Sequence, residues 1–340
     1  MRHLGTDVTH VTRQGVTVSG RAVSTRSTRF AEEGDGYVGW ALSEGQDFAE
    51  CRPLLFTIAY EILGSAADAE DVVQDSYLRW HGVSREDVEH PRAYLVRTVT
   101  RQALNHLRTT RRRREDYVGP WLPEPVRTGP DVGEDAVLAE SVSMAMLLVL
   151  ETLSPDERAV FVLREVFGYS HREVADMVGK TEATARQIAH RAREHVRARR
   201  RRFHHDPRTA EEVVGRFLHA AGTGDVAALM SMMAPGVVHI SDGGGRVSAA
   251  RRPVRGREKV ARFVAGVSRT SGPVTLLEFA NYNALPAVQF RSGDRVDYVL
   301  LFEIADGLIH GMYAVRNPDK LSTAVVPRPL ARRKDDPWRL

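Results

Sequence analysis

From Phe48 to Val196 apolar positions recur at helical spacing, and near the end of the chain they switch to alternation. Leu55, Ile58, Ala59 and Ile62 form the buried stripe of a helix that starts around Pro53 and stops at Gly64. Ser65 caps a second helix, Ala66 to Trp80, with Val72, Trp80 and either Ser76 or Tyr77 turned inward. After a break holding Gly82 and Pro91, Leu95, Val99, Ala103 and Leu107 predict a long helix from Arg92 to about Arg114. A Leu- and Met-rich apolar helix follows over Asp135 to Leu153. Ser154-Pro155-Asp156-Glu157 opens the next, with Ser at the N-cap, Pro at the first helical position and acids in the first turn. Gly168 ends it, and Ser170 with Glu173 forms a capping box for a short helix burying Val174, Ala175 and Val178. The turn Gly179-Lys180-Thr181 leads to a last helix with Ala185, Ile188, Ala189, Ala192 and Val196 inward, which together make a helix-turn-helix.

Beyond Pro207 the pattern changes. Helices are predicted over Thr209 to Ala221 and Asp225 to Met233, then strands Gly236 to Ser241 and Arg246 to Ala250 on either side of Gly243-Gly244-Gly245. A helix from Arg257 to Val267 precedes strands near Val274 to Asn281, Pro286 to Arg291 and Arg295 to Ile304. In the last of these Val296, Tyr298, Leu300, Phe302 and Ile304 alternate with polar positions, and Asp306-Gly307 turns into a final strand, Leu308 to Val315. Helices first and then a curved antiparallel sheet predict an α+β domain with its helices on one face. The fold class is therefore multidomain: two all-α domains and a C-terminal α+β domain.

The 340 residues divide accordingly into a tail (1–43), a helical domain (44–116), a linker (117–134), the helix-turn-helix domain (135–203), the α+β domain (207–317) and a C-terminal tail (318–340). Residues 1–43 show no sustained period and read as a flexible tail or as sequence ahead of a start codon placed too far upstream. Gly119, Pro120, Pro123, Pro125, Gly129 and Pro130 keep the linker irregular and stiff. Its Trp121-Leu122 pair is costly to expose, so it is expected to dock on something. Cys51, the single cysteine, excludes an internal disulfide and a cysteine-based zinc site, and is expected as a buried thiol. No stretch reaches the length of a membrane span and no apolar signal core opens the chain, so a cytoplasmic protein with no membrane partner is expected.

Charge adds chemistry to this outline. The net charge is only +4, but 44 of the 48 basic residues are arginine and they are clustered. Asp68, Glu70, Asp71 and Asp75 make the start of the second helix acidic, which suits the helix dipole or a protein-docking face built on Asp71, Gln74 and Asp75. No acid lies between Arg92 and Arg114, where Arg97, Arg101, Asn105 and Arg108 share an outer face ahead of Arg111 and Arg112. A solvated helix mixes signs, so this face predicts a nucleic-acid surface. Trp80 and Tyr94 at its edge are candidates to stack on unpaired bases, or are core. On the last helix of the helix-turn-helix, Thr184, Arg186, Gln187, His190, Arg191 and Arg193 face outward; Arg and Gln match guanine and adenine edges in the major groove.

Asp68-Ala69-Glu70-Asp71-Val72-Val73-Gln74-Asp75, Tyr77-Leu78-Arg79-Trp80, Pro91-Arg92-Ala93-Tyr94-Leu95, Asn105-His106-Leu107-Arg108 and Leu153-Ser154-Pro155-Asp156-Glu157-Arg158 resemble extracytoplasmic-function (ECF) sigma factors of the sigma-70 family. The α+β domain is similar to SnoaL-like domains of the ketosteroid-isomerase-like cone fold. Trp121-Leu122-Pro123-Glu124-Pro125, Asp242-Gly243-Gly244-Gly245-Arg246 and Asn317-Pro318-Asp319-Lys320-Leu321 look like marks of the SigJ-like subgroup that carries this extension. The resemblance implies that Asp71, Gln74 and Asp75 dock on core RNA polymerase. It implies that the helix from Arg92 reads and helps melt the −10 element, and that the helix-turn-helix reads the −35 element through Arg186, Gln187 and His190, with Arg191 and Arg193 on phosphates. The family usually has a basic residue where this chain has Ile188. It implies no cofactor and no enzyme activity.

His239, Asp242, Arg246, Tyr282, Asp297 and Tyr313 are polar candidates near strand ends of the α+β domain, but one acid and one histidine do not make a catalytic set. Asp242 to Arg246 reads as a structural turn, a partner contact or the rim of a pocket for an unknown small molecule. The subgroup resemblance favours an intramolecular contact. Trp121, Leu122, Asp242, Gly243, Gly244, Gly245, Arg246, Asn317, Pro318 and Asp319 would then join the domain to the sigma domains or linker, making it an in-chain regulator in place of a separate anti-sigma factor. The rival reading is a helix-turn-helix DNA-binding regulator with a ligand-sensing or enzymatic α+β domain; it leaves Asp68 to Arg114 unexplained.

Overall fold

The computed structural model describes residues 35–84, 88–129, 132–133, 135–199, 207–270 and 276–332. For 35–47, 111–115 and 207–209 it describes only the backbone, and the expectation for residues 1–34 lies outside it. Helix α1 (Asp35–Leu63) begins well ahead of Pro53, which sits inside it, so the expected tail is shorter than 1–43. A proline inside a helix removes one backbone donor, and here the helix runs through it. Gly64, at φ +69°, ends α1 in the left-handed conformation. Ser65 then caps α2 (Ala66–His81) by accepting from Asp68 N–H at 3.1 Å, with Ser76 buried and Tyr77 exposed. The arginine-rich helix is α3 (Pro91–Glu115).

The single helix expected over Asp135 to Leu153 is two, α4 (Ala136–Ser141) and α5 (Met144–Leu150). Ser143 takes an extended backbone and caps α5 through Met146 N–H, which breaks the run. A capping box forms where Ser154 with Glu157 opens α6 (Pro155–Phe161), and the expected one forms where Ser170 with Glu173 opens α7 (His171–Val178). A π turn, Val162–Val166, prolongs α6. Gly179 at φ +68° makes the turn into α8 (Glu182–Arg199).

The C-terminal domain runs α9 (Pro207–Thr223), α10 (Val226–Ser231), β1 (Met233–Asp242), β2 (Val254–Arg255), α11 (Arg257–Thr270), β3 (Leu276–Tyr282), β4 (Leu285–Ser292), β5 (Arg295–Ala305) and β6 (Leu308–Val315). Sheet order is β2-β1-β6-β5-β4-β3. The sheet is mixed rather than wholly antiparallel, because β6 returns beside β1 and runs parallel to it. The strand expected over Arg246 to Ala250 is a turn and loop; only Val254 and Arg255 pair there, opposite His239 and Val238. Phe217, Val260, Phe302 and Met312 pack between the helices and one sheet face. The other face, with Tyr282, Leu301, Tyr313 and Val315, is covered by Leu122 of the linker, Met144 of α5, and Leu321 and Ala324 beyond β6. Residues after Asn317 are therefore part of the fold rather than a tail, as far as they are described. Arg328 pairs with Glu70 at 2.6 Å, Arg332 with Asp135 at 2.6 Å, and Ala331 N–H donates to Thr57 at 3.1 Å.

The two helical domains share one apolar core, which also takes in Ala284 of the β3–β4 turn and Leu330. Inside this joint the Glu61 side chain is fully buried. Ser141 donates to its carboxyl at 2.7 Å, and the buried Arg158 donates through Nε to the Glu61 carbonyl at 2.8 Å. Burial raises the Glu61 carboxyl to about 8, only partly offset by Ser141 and Arg158. A carboxyl raised in the packed state stabilises that state fully below its ordinary value of 4.5 and loses the whole contribution as pH rises through about 8. Thermal unfolding midpoints should therefore fall between pH 6 and 8.5, and Glu61→Gln should flatten that slope. Identical slopes in the two proteins would show that Glu61 is already ionised in the packed state.

Candidate nucleic-acid interface and linker clamp

On α2, Asp71, Gln74 and Asp75 are exposed and lie beside Leu78, which is 63% exposed. An apolar side chain framed by acids and left uncovered is a surface suited to a protein partner.

The basic face of α3 is engaged by the helix-turn-helix domain. Arg97 pairs with Asp176 at 3.2 Å. Arg101 donates to the carbonyls of Asp176 at 2.8 Å and Met177 at 3.3 Å, at the negative end of α7. Arg108 reaches Asp156 at 2.6 Å, and Lys180 reaches the same carboxylate at 3.2 Å. Partial burial opposes ionisation of Asp156, yet Arg108 and Lys180 outweigh it and hold the carboxyl below its ordinary value. Asn105 stays exposed, and the side chains of Arg111 and Arg112 lie outside the described residues. Trp80 departs from the expectation of base stacking: it is 4% exposed, packed in the core 5.6 Å from the Tyr94 ring. An indole buried at that depth cannot take a base without unpacking α2 from α3. Tyr94 is half-buried beneath Arg97.

On α8, Arg186, Gln187 and His190 are exposed, whereas Ile188 is buried and belongs to the core. Arg186 pairs along the helix with Glu182 at 3.0 Å, and Arg193 pairs with Glu165 at 2.6 Å. Arg191 lies 3.9 Å from Glu157. Thr184 sits in the first turn, its hydroxyl 2.8 Å from that of Thr181.

The linker is held in an extended form by two anchors from the C-terminal domain. Asp242, at the end of β1, is completely buried. One carboxylate oxygen accepts from Tyr117 Oη at 2.6 Å and Gly244 N–H at 3.0 Å. The other accepts from Leu122 N–H at 2.8 Å and Lys320 Nζ at 2.8 Å. Lys320 also donates to the Leu122 carbonyl at 2.5 Å and stands 4.1 Å from the Trp121 ring centre. Asn317 donates to Tyr117 Oη at 2.8 Å, and Pro318 begins the turn that carries Asp319 to Arg246 at 3.2 Å. Burial, and then Asp242, push the Tyr117 phenol well up, so it stays protonated as a donor. The glycines are there for close approach: a Cβ on Gly244 would collide with Asn317 Nδ2, and one on Gly245 would lie 3.1 Å from Val118. One on Gly243 would lie 2.5 Å from the Val247 carbonyl, inside its own loop.

The second anchor is Asn283, in the β3–β4 turn at φ +54°. It exchanges bonds with Val126, backbone to backbone at 2.8 Å and side chain to N–H at 3.0 Å. Its Nδ2 donates to Tyr60 Oη in the first helical domain at 2.6 Å and to the Val142 carbonyl in the helix-turn-helix domain at 2.9 Å. One side chain thus ties three parts of the chain together. Between the anchors, Glu124 accepts from Ser65 at 2.8 Å and Ala67 N–H at 3.0 Å, so the linker supplies part of the cap of α2.

Sequence reasoning placed Trp121, Leu122, Asp242, the three glycines, Arg246, Asn317, Pro318 and Asp319 at this junction; it included Lys320 and Glu124 only as members of their motifs and passed over Tyr117, Tyr60 and Asn283. Lys320 was legible as the one basic residue of Asn317 to Leu321. The remaining polar candidates do not converge. His239 lies on the helix-covered face beside Phe263, and burial lowers it to about 4. Asp297 is held at the surface by Arg295 at 2.8 Å. Tyr282 Oη donates to the Ala324 carbonyl at 2.7 Å and Tyr313 Oη to Glu303 at 2.8 Å.

Comparisons with known proteins agree with this layout. Residues 48–113 match the model of sigma-70 region 2, and residues 143–196 match that of sigma-70 region 4. The chain is 38% identical over 309 residues to the ECF RNA polymerase sigma factor SigJ of Mycobacterium tuberculosis, covering 86% of this chain and 97% of that protein. It is 29% identical over 274 residues to a probable ECF sigma factor, SigI, of the same species, covering 79% of this chain and 92% of that one. The crystal structure of M. tuberculosis SigJ superposes with a TM-score of 0.67 at 34% identity, over 82% of this chain and 99% of that one. The region 2 match accounts for the segment that a plain helix-turn-helix regulator leaves unexplained. With two sigma regions in order and a relative matched along nearly its whole length, the chain belongs to the extracytoplasmic-function sigma factors of the sigma-70 family.

Proposed function

We propose that this sigma factor, which binds core RNA polymerase and directs promoter-specific initiation, is held in a closed state by its own C-terminal domain. The carrying observation is that Asp156, Asp176 and the end of α7 occupy arginines of α3 that would otherwise meet DNA phosphates. The docking face of Asp71, Gln74 and Asp75 stays exposed, as do Arg186, Gln187 and His190. The closed chain offers its polymerase surface and its −35 reader while the arginines of the −10 reader, Arg97, Arg101 and Arg108, are half-exposed but paired within the chain.

Geometry supports the need to open. Elements about 25 base pairs apart lie roughly 85 Å apart along B-DNA at ~3.4 Å per pair. Here α3 and α7 are in hydrogen-bond contact. The linker, Tyr117 to Glu134, has 18 residues. Fully extended it spans about 60 Å, so nearly all of it must be free for both readers to reach their sites. The Asp242 and Asn283 anchors hold its middle. Releasing them is the step that regulation acts on, which makes the C-terminal domain an in-chain regulator.

Run-off transcription with core polymerase tests the assignment. Asp71→Arg with Asp75→Arg should weaken core binding at least tenfold, and unchanged binding would remove α2 as the docking face. Asn283→Gly keeps the turn conformation and deletes the side-chain bonds. It should raise promoter output several-fold with core binding unchanged; equal output would mean that the anchor does not restrain initiation. Asp156→Asn with Asp176→Asn should free the α3 arginines. The log–log salt slope of promoter binding should then steepen by about one unit for each further phosphate that the freed arginines neutralise.

A further inference from the structure

The helix-covered face of the C-terminal sheet is filled by side chains such as Phe217, Phe302 and Met312. The opposite face is filled only in part, by Leu122, Met144, Leu321 and Ala324. Between it and helices α4 and α5 lies a cavity of about 820 Å³, a size suited to a small organic molecule. The sheet supplies its floor with Val238, Ile240, Glu303 and Tyr313, while α4 and α5 supply the facing wall with Ala136, Ala139, Glu140 and Ser143.

Two irregularities shape this floor. The pairing of β5 with β6 slips between Glu303 and Ile304, whose partners are Gly311 and Ile309, leaving His310 as the extra residue of a bulge that lines the cavity. Bulges re-aim side chains and recur beside binding sites. Gly311 lies in the middle of a strand, where a Cβ would come within 2.5 Å of Glu303 Oε2 and 2.9 Å of Tyr313 Oη. The glycine is what lets the buried Glu303 carboxylate and the Tyr313 hydroxyl meet, 2.8 Å apart, over the strand. A strand interrupted twice to seat a carboxyl group at the base of a cavity is a built polar floor, under walls that mix apolar side chains with charged ones.

We propose that this cavity binds an organic cation, a protonated amine on an apolar body, with the ammonium on Glu303 and the body along Ile240, Val238 and the α4–α5 wall. An ammonium forms a charge-assisted bond to a carboxylate; Glu140 and Glu211 add charge of the same sign, while Arg199 and Arg255 elsewhere in the lining oppose it, so the Glu303 floor has to supply the selectivity. The regulatory consequence rests on the closed-state reading above. The walls come from both the C-terminal domain and the helix-turn-helix domain, so the site exists only while the chain is closed. A ligand at about 100 times its dissociation constant would favour the closed state about 100-fold. It therefore acts to hold the factor off rather than to switch it on.

Calorimetric titration of the full chain with 4-phenylbutylamine, 4-phenylbutanol and 4-phenylbutyrate, which share a body and differ in the head group, tests the site. The amine should bind, the alcohol at least tenfold more weakly, and the acid not at all. Glu303→Gln should bring the amine down to the level of the alcohol. Ala136→Phe, at an exposed cavity-lining position, should abolish binding, and core polymerase binding by both variants reports that they are folded. No binding by the amine, equal binding by all three head groups, or binding unaffected by Ala136→Phe overturns the site. Saturating core polymerase should weaken amine binding at least tenfold, and the amine should lower run-off output; binding unmoved by polymerase overturns the coupling. Failure of the closed-state reading itself would show separately, as unchanged output from Asn283→Gly with no amine present.

Discussion

A single buried carboxylate, Asp242, organises the closed molecule. It sits at the end of a strand, receives Tyr117, Leu122 N–H, Gly244 N–H and Lys320, and fixes the linker in an extended form against the sheet. A carboxylate fully removed from water must be paired and hydrogen-bonded, and two of its four donors here, Tyr117 and Leu122 N–H, come from the linker. The linker's position and the solvation of Asp242 are thus one constraint. The three glycines after Asp242, Asn317 and the Lys320 side chain serve that constraint, since the chain segments must come close enough to deliver their donors.

This anchoring differs in kind from the core the two helical domains share. Apolar packing between them is broad and forgiving, while the clamp is a small set of directional bonds. Buried ion pairs contribute modestly to net stability because desolvation offsets their attraction, but they specify geometry sharply. A junction that fixes one arrangement without stabilising it heavily suits the opening step proposed above. The same economy appears at α3, where Asp156 and Asp176 meet arginines across partly exposed ion pairs that water and salt can loosen.

The π turn, capping boxes and turn glycines of the helix-turn-helix domain keep α8 facing outward while α7 carries its negative end to α3. In the proposed closed state one domain both presents one DNA-reading face and pairs with another, because opposite sides of a small helical unit are used. The C-terminal domain leaves the DNA-reading faces to the sigma domains: its Asn283 reaches Tyr60 and the Val142 carbonyl, at the joint between the helical domains. The molecule is closed at its joint and covered at its surface by different parts of the chain.

Much of this was legible in the sequence wherever the governing physics is local. Ser154 to Glu157, Ser170 to Glu173 and Gly179 declared helix ends, and the alternation from Arg295 to Ile304 declared a strand, because capping and periodicity depend on neighbours a few residues away. The Trp121-Leu122 pair announced that the linker docks. What the sequence left open depends on contacts between distant residues. Ser143 splitting α4 from α5, Pro53 inside α1 and the parallel pairing of β1 with β6 are decided by packing. Trp80 could have been a base-stacking ring or core, and only burial at 4% exposure decided it. Lys320 stood out only as the one basic residue of its motif, and Asn283 carries little local signal, since an asparagine in a hairpin is ordinary. Their roles arise 78 and 223 residues away in sequence, at Asp242 and Tyr60. The sequence by itself determined most of the helices and strands, their caps and the charge of each face. Only the tertiary structure decided which faces meet, because burying a charge beside its distant partner is a property of the assembled chain.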